Sequence, residues 1–164
     1  MNKEAQEVLI SAQNIRKDFP LPNGLLNRLS GNPPPAVRAL NGVSFDIHKG
    51  EALGIVGESG CGKSTLARCL VRLHEVDGGR ILFEGTDIST LKGPARRHFN
   101  RRVQIVFQDP YSSLNPRMTV EQILGEALRV HRMRPAKDIP DRIAELLDLV
   151  RLPADSGWRY PHEF

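Results

Sequence analysis

Apolar and polar positions along the 164-residue chain change period several times, and each change predicts an element. Val8 to Ile15 reads as a strand, and Ala36 to Ile47 as a second strand or strand pair. Between them lie Pro20, Pro22, Asn23, Gly24, Gly31, Asn32 and three prolines at 33–35. That density of turn-formers predicts a long loop, either functional or loosely held. Ala52 to Val56 is a short apolar run that opens into glycine, as a buried strand does. Leu66, Leu70 and Leu73 then recur at i, i+4 and i+7, which predicts a helix over 62–73 with one face buried. Arg80 to Phe83 reads as a short strand ending at Gly85. Val103 to Phe107, rich in β-branched and aromatic residues, reads as another. Thr119 to Leu128 and Ile139 to Val150 read as helices, with Ile143, Leu146, Leu147 and Val150 as the apolar stripe of the second. No internal repeat is present.

Composition narrows the class. With 40% hydrophobic and 26% charged residues, the chain suits one globular domain or a large piece of one. Aromatics are only 5%, so the core must rest on Leu, Ile, Val and Ala. A fibre, a disulfide scaffold and a disordered tail are excluded. The net charge of +4 is too small to argue for a dedicated nucleic-acid binder. Cys61 and Cys69 have no His or Cys at metal-ligand spacing, which speaks against a zinc site or disulfide framework and fits a reducing compartment. No apolar run reaches the ~18–20 residues that span a bilayer, and the first residues form no secretory h-region. The expectation is a cytosolic chain whose membrane association goes through a partner.

The most informative stretch is Gly57-Glu58-Ser59-Gly60-Cys61-Gly62-Lys63-Ser64-Thr65, which satisfies the Walker A pattern G-x-x-x-x-G-K-[ST]. The chemistry needs this spacing. Glycines let the backbone wrap with no Cβ against a bound phosphate. Successive N–H groups then form an anion nest, and the following helix aims its positive end at the same anion. Lys63 would reach the β- and γ-phosphates, and the Ser64 hydroxyl would coordinate Mg²⁺. A chance match arises about once in 200 chains of this length, and the strand before and helix after make chance a poorer account still. Within the loop, Cys61 reads as a small residue lending its backbone N–H, since no His base is near in sequence. Cys69 reads as core packing.

A second stretch separates the P-loop families. Val103-Gln104-Ile105-Val106-Phe107-Gln108-Asp109-Pro110-Tyr111-Ser112-Ser113-Leu114-Asn115-Pro116 is a strand that ends in glutamine and breaks at proline. It resembles the Q-loop of ATP-binding cassette (ABC) transporters. The wording from Phe107 to Thr119, like that from Val56 to Thr65, is close to the ATPase subunits of oligopeptide and dipeptide importers. The resemblance runs from about Val8 to Phe164 and includes the Pro-rich stretch at 20–35. It implies that Gln108 is the glutamine that contacts Mg²⁺ and the attacking water and links the site to the membrane partner. A neutral amide both accepts from and donates to water, so it suits that role. The resemblance also implies that Phe19 stacks on adenine, although Phe19 as core or loop packing is the rival reading. Asp109 as a Walker B aspartate is disfavoured, because Gln108 interrupts the apolar run and Pro110 follows. The basic stretch Lys92 to Arg102 has no aromatic interleaving apart from Phe99, so it reads as a solvated helical face rather than a nucleic-acid site.

The resemblance implies an α/β fold: a P-loop NTPase of the ABC ATPase type, with an antiparallel N-terminal β region and a partial helical subdomain. The β region and P-loop core would occupy 8–107, and the Q-loop and the start of the helical subdomain 108–164. The family's Ser-Gly-Gly-Gln signature, Walker B strand and switch histidine occur nowhere in the 164 residues. The expectation is therefore an N-terminal part of a cassette, with the C-terminal part of the core missing. The implied cofactors are ATP and Mg²⁺, and the implied activity is ATP hydrolysis that powers import of peptides or similar small solutes. The implied partners are a second cassette, two permease subunits and an extracytoplasmic solute-binding protein, with no nucleic acid. The implied location is the cytoplasmic face of the membrane. Two alternatives stand beside this: a truncated, non-catalytic remnant with weak or no nucleotide binding, and another P-loop enzyme. The GTPase version of the latter lacks its Asn-Lys-x-Asp motif.

Overall fold

The computed structural model describes residues 7–21 and 35–164. The chain forms two compact units, Met1–Ile105 and Val106–Phe164. In the first, strands β1 (Val8–Pro20), β2 (Ala36–His48), β3 (Gly78–Phe83) and β4 (Thr86–Asp87) make an antiparallel sheet in the order β2-β1-β3-β4. β1 runs longer than the predicted 8–15 because β2 pairs with it along its whole length, from Val8↔His48 to Pro20↔Ala36. The Leu21 N–H donates to the Pro35 carbonyl at 2.8 Å, closing the ladder at the mouth of the Pro/Gly loop. Most of that loop, from residue 22 to residue 34, lies outside the described residues.

The sheet is irregular where β3 meets β1. Asn14 takes φ 52°, and the β1–β3 register shifts between Gln13 and Arg16. Gly79 faces this bulge with φ +78°, and a Cβ there would sit 2.3 Å from the carbonyl oxygens of Gln13 and Asn14. Only glycine allows that approach. Among the described residues of this unit two α-helices follow, α1 (Lys63–Leu70) and α2 (Gly93–Arg102). The core joins Ala12, Ile15, Leu40, Leu66, Cys69, Ile81, Phe83, Ile88 and Phe99. Phe83 and Phe99 meet edge to face at 5.4 Å, the geometry the ring quadrupoles favour. Cys69 is buried as expected, and burial pushes its thiol pKa up, so it stays protonated and inert.

In the second unit, α3 (Val120–Val130) and α4 (Ile139–Leu149) pack through Leu128, Ile139, Ile143 and Leu147. Thr119 begins α3 with a reciprocal cap: its hydroxyl accepts from the Gln122 N–H at 3.3 Å, and its own N–H donates to the Gln122 side chain at 2.9 Å. The Val120 N–H donates to the Arg159 carbonyl at 2.9 Å, tying the C-terminal segment to the same helix start.

Three expectations need correction. Residues 52–56 and 103–107 form no strand, and their apolar side chains are not buried as the runs suggest: Val56 is 93% and Val106 88% exposed. A strand exists by its ladder to a neighbour, and neither run has a paired neighbour among the described residues. The helix expected to reach residue 73 ends at Leu70. Arg72 takes a left-handed φ of 60° there, with its guanidinium donating to the Leu91 carbonyl at 2.7 Å and the Ser89 carbonyl at 2.9 Å. Leu73 and Val150, assigned to apolar stripes, are exposed because each falls just past the end of its helix.

Candidate nucleotide-binding site

The loop 57–62 leads directly into α1. The Cys61 N–H donates to the Glu58 carbonyl at 3.4 Å, and the Leu66 N–H makes the first helical bond to the Gly62 carbonyl at 2.9 Å. Gly62 is the N-cap residue, with φ 98°. A Cβ there would lie 2.4 Å from the Ala39 carbonyl oxygen and 3.2 Å from Leu40 Cδ2. The β2 backbone is thus the wall against which the helix start is set. This position needs glycine twice over, for its left-handed φ and for the close approach.

Lys63 turns back over the loop it ends. Its Nζ donates to the Gly57 carbonyl at 2.7 Å and the Glu58 carbonyl at 2.6 Å, and stands 3.6 Å from Cys61 Sγ. Two short contacts to fixed carbonyls hold the ammonium inside the loop. α1 has no side-chain cap and no acidic residue in its first turn. Its positive end is therefore not neutralised from within, which is the electrostatic condition for receiving an external anion. Ser64 is exposed and Thr65 half-buried in that first turn, and Gly57, Glu58, Ser59, Gly60 and Cys61 are all exposed. Among the described residues no cluster of three or more His, Cys, Asp or Glu side chains could hold a metal ion. A cation here would depend on the Ser64 hydroxyl and on oxygens brought by the ligand.

Phe19 belongs to the same unit, near the end of β1. Half-buried, its ring meets His74 edge-on at 5.5 Å, and Lys17 Nζ lies 5.6 Å from its centroid. Lys17 also pairs with Asp77 at 3.0 Å, while the Asp18 N–H donates to the other Asp77 oxygen at 2.7 Å. That backbone bond, then Lys17, holds the Asp77 carboxyl below its ordinary pKa. Nothing in the sequence pointed to His74 or Asp77, since both contacts span more than fifty residues.

Gln108 lies in the second unit, exposed and outside regular structure. Beside it, Asp109 Oδ1 accepts from the N–H groups of Tyr111 at 3.1 Å and Ser112 at 3.3 Å. Asp109 thus satisfies the first two N–H groups of the 3₁₀ turn Tyr111–Ser113, a role that accounts for a carboxylate at this position without a metal.

Comparisons with known proteins agree on the family. The ABC transporter family profile matches residues 40–161. The oligopeptide transport ATP-binding protein AppF of Bacillus subtilis is 44% identical over 100% of this chain and 49% of its own length. The glutathione import ATP-binding protein GsiA of Escherichia coli is 47% identical over 96% of this chain and 25% of its own length. The chain thus spans half or less of these curated relatives. Among solved structures, an ATP-binding cassette captured as a dimer in a post-hydrolysis state with ADP and Pi superposes with a TM-score of 0.68 at 20% identity, over 94% of this chain and 62% of that one. The cbiO1 protein of Clostridium perfringens, part of an ABC transporter complex, superposes at 0.64 and 23%, over 97% of this chain and 56% of that one. At those identities the two structures speak for the fold alone. With the profile covering most of its length and peptide-type relatives at about 45% identity from end to end, the chain belongs to the ABC transporter ATP-binding family.

Proposed function

We propose that residues 57–65 bind the phosphates of Mg²⁺-ATP, and that within a complete, paired cassette this site hydrolyses ATP to power import of peptides or similar small solutes. The observation that carries the reading is the seated Lys63: its ammonium is already held on the Gly57 and Glu58 carbonyls at the uncapped end of α1. Phosphoryl transfer rests on positioning and electrostatics, and these contacts keep the positive charge at the loop the phosphates would enter. Gly57, Glu58, Ser59, Gly60, Cys61 and Gly62 supply the backbone that wraps the phosphates, Ser64 the hydroxyl for Mg²⁺, and Thr65 the next N–H. Phe19 offers a flat face for adenine, and its contact with His74 limits the ring's freedom. From the family resemblance alone, Gln108 is proposed as the residue that would orient water and contact Mg²⁺ in the complete cassette. The partners proposed are a second cassette, two permease subunits and an extracytoplasmic solute-binding protein, which would hold the chain at the cytoplasmic face of the membrane. The names of the relatives, which denote oligopeptide transport and glutathione import, support the solute class.

The test is titration of the chain with a fluorescent ATP analogue, with and without Mg²⁺. Saturable binding that weakens sharply in Lys63→Ala is the expected result, and equal affinity in the two proteins would sink the site. The exposed Leu53, Ile55, Val56, Val106 and Phe107 favour a second reading, a remnant that binds nucleotide weakly or not at all. The same titration distinguishes it, by the absence of saturable binding to the unsubstituted chain.

A further inference from the structure

The end of β1 that carries Phe19 is joined to the phosphate loop by two routes, one through β2 and one through α1. In the β1–β2 ladder Phe19 pairs with Val37 and Lys17 with Leu40. Val37 stands two residues from Ala39, about 7 Å along the strand, and the Ala39 carbonyl is the atom that walls in Gly62. The register thus fixes how far Phe19 lies from the start of α1.

The second route runs from the far end of α1. Past Leu70 the chain folds back, and the His74 N–H donates to the Arg68 carbonyl at 3.2 Å. Three residues on, the Asp77 N–H donates to the Arg16 carbonyl at 2.9 Å. The Asp77 side chain closes the clasp on β1: Oδ1 accepts from Lys17 Nζ at 3.0 Å and Oδ2 from the Asp18 N–H at 2.7 Å. From this same segment His74 meets the Phe19 ring edge-on, at 5.5 Å and 76°. Lys17 and Phe19, two residues apart on a strand, share one face of β1. Lys17 Nζ stands over the ring, 5.6 Å from its centroid. The Lys17 side chain is only 14% exposed, so it gives up hydration to form its ion pair, and such pairs are weak evidence for net stability. What the clasp does secure is the place of the β1 end relative to α1.

We propose that His74 and Asp77 are positioning residues for base recognition: they hold the half-buried Phe19 ring against the segment that follows α1, and so set its stacking face at a fixed distance from the phosphate loop. This rests on the reading of residues 57–65 as the phosphate site and of Phe19 as the adenine platform, and it goes beyond that reading by naming what orients the platform. A ring free to change rotamer would have to be ordered as the base arrives, and that cost would be subtracted from the gain on stacking. The edge contact with His74, and the Lys17 ammonium that Asp77 holds over the ring, order it in advance. Neither His74 nor Asp77 needs to touch the nucleotide.

The experiment compares, by calorimetric titration, the affinity of the full chain for Mg²⁺-ATP with that for Mg²⁺-triphosphate, which offers phosphates without a base. The readout is the ratio of the two affinities, which isolates what the base contributes. Phe19→Ala should lower the ratio about fivefold or more, as loss of base–aromatic stacking does. His74→Ala and Asp77→Ala should each lower it about two- to tenfold, the worth of ordering one side chain. On the Phe19→Ala background neither should lower it further, because both act through that ring. His74→Phe keeps an aromatic edge and should retain the ratio. Circular dichroism checks that the variants are folded alike, and Asp77→Asn, which keeps an acceptor for the Asp18 N–H, replaces Asp77→Ala if that chain does not fold. Loss of both affinities in step would make His74 and Asp77 merely structural and overturn the proposal. So would an unchanged ratio in the single variants, full additivity with Phe19→Ala, or a fall in His74→Phe. Those outcomes leave the phosphate site standing, whereas no saturable binding of either ligand to the unsubstituted chain would overturn the ATP reading and this proposal with it.

Discussion

Gly62 carries two constraints that different parts of the molecule impose. The loop needs its φ of 98°, and the Ala39 carbonyl would lie 2.4 Å from any Cβ. Because the obstructing atom is backbone, nothing can swing aside. Gly62→Ala should therefore cost about 1–3 kcal/mol of stability, the range for a residue forced into such a conformation, and should weaken nucleotide binding as well. Denaturant melts and nucleotide titration of the same protein measure both effects. A Gly60→Ala control meets no atom within 4 Å and shares only the positive φ, so it should cost less. Lys63 acts differently: its removal leaves the Gly57 and Glu58 carbonyls without their donor. Lys63→Ala should accordingly raise hydrogen exchange across 57–62 as well as abolish turnover in a complete cassette. Unchanged exchange would show that the lysine does not brace the loop.

At the scale of elements, the ends of strands and helices are held by contacts that titrate or can be deleted singly. Glu84, just after β3, is held below its ordinary carboxylate pKa by the hydrogen bond from Arg102 at the end of α2. Asp77 is depressed by the Asp18 N–H and Lys17. A carboxylate whose folded pKa is depressed contributes stability above its unfolded value, and that contribution disappears as pH falls through the folded value. Stability should thus decline on acidification below the ordinary Asp and Glu range. In the double variant Glu84→Gln, Asp77→Asn the decline should be shallower, as urea midpoints across acidic pH would reveal. Parallel slopes in the two proteins would rule out these pairs as the source. In the second unit, Thr119→Ala removes the cap of α3 and should cost about 1 kcal/mol. The loss should appear in the stability of Val106–Phe164, monitored by hydrogen exchange of α3 amides.

For the molecule as a whole, the chain corresponds to 62% and 56% of the two cassette structures it superposes on. Neither the signature sequence nor a Walker B carboxylate occurs in its 164 residues. Phosphoryl transfer depends on positioned charge, and losing one strong electrostatic element costs about 10²–10³ in rate. Residues 1–164 alone should therefore release no phosphate from Mg²⁺-ATP above the level of the Lys63→Ala chain, assayed side by side. Release by the unsubstituted chain that the variant lacks would show that the catalytic groups lie elsewhere than supposed.

What was legible in the sequence was what depends on neighbours along the chain. The glycine-rich loop leading into α1 could be read because its conformation lies in the φ values of consecutive residues, and those are set by where Gly stands. Helices α3 and α4 were legible because a 3.6-residue period needs no distant partner to be recognised. Tertiary structure decided the rest. Ala52–Val56 and Val103–Phe107 have the composition of buried strands, yet a strand is made by its neighbour, and composition does not say whether that neighbour is there. The β1–β3 pairing, the Gly79 approach to the β1 bulge, and the Phe19–His74 and Lys17–Asp77 contacts all join residues more than fifty positions apart. Such pairings are chosen by the closure of the whole sheet and core, which no local window of sequence contains.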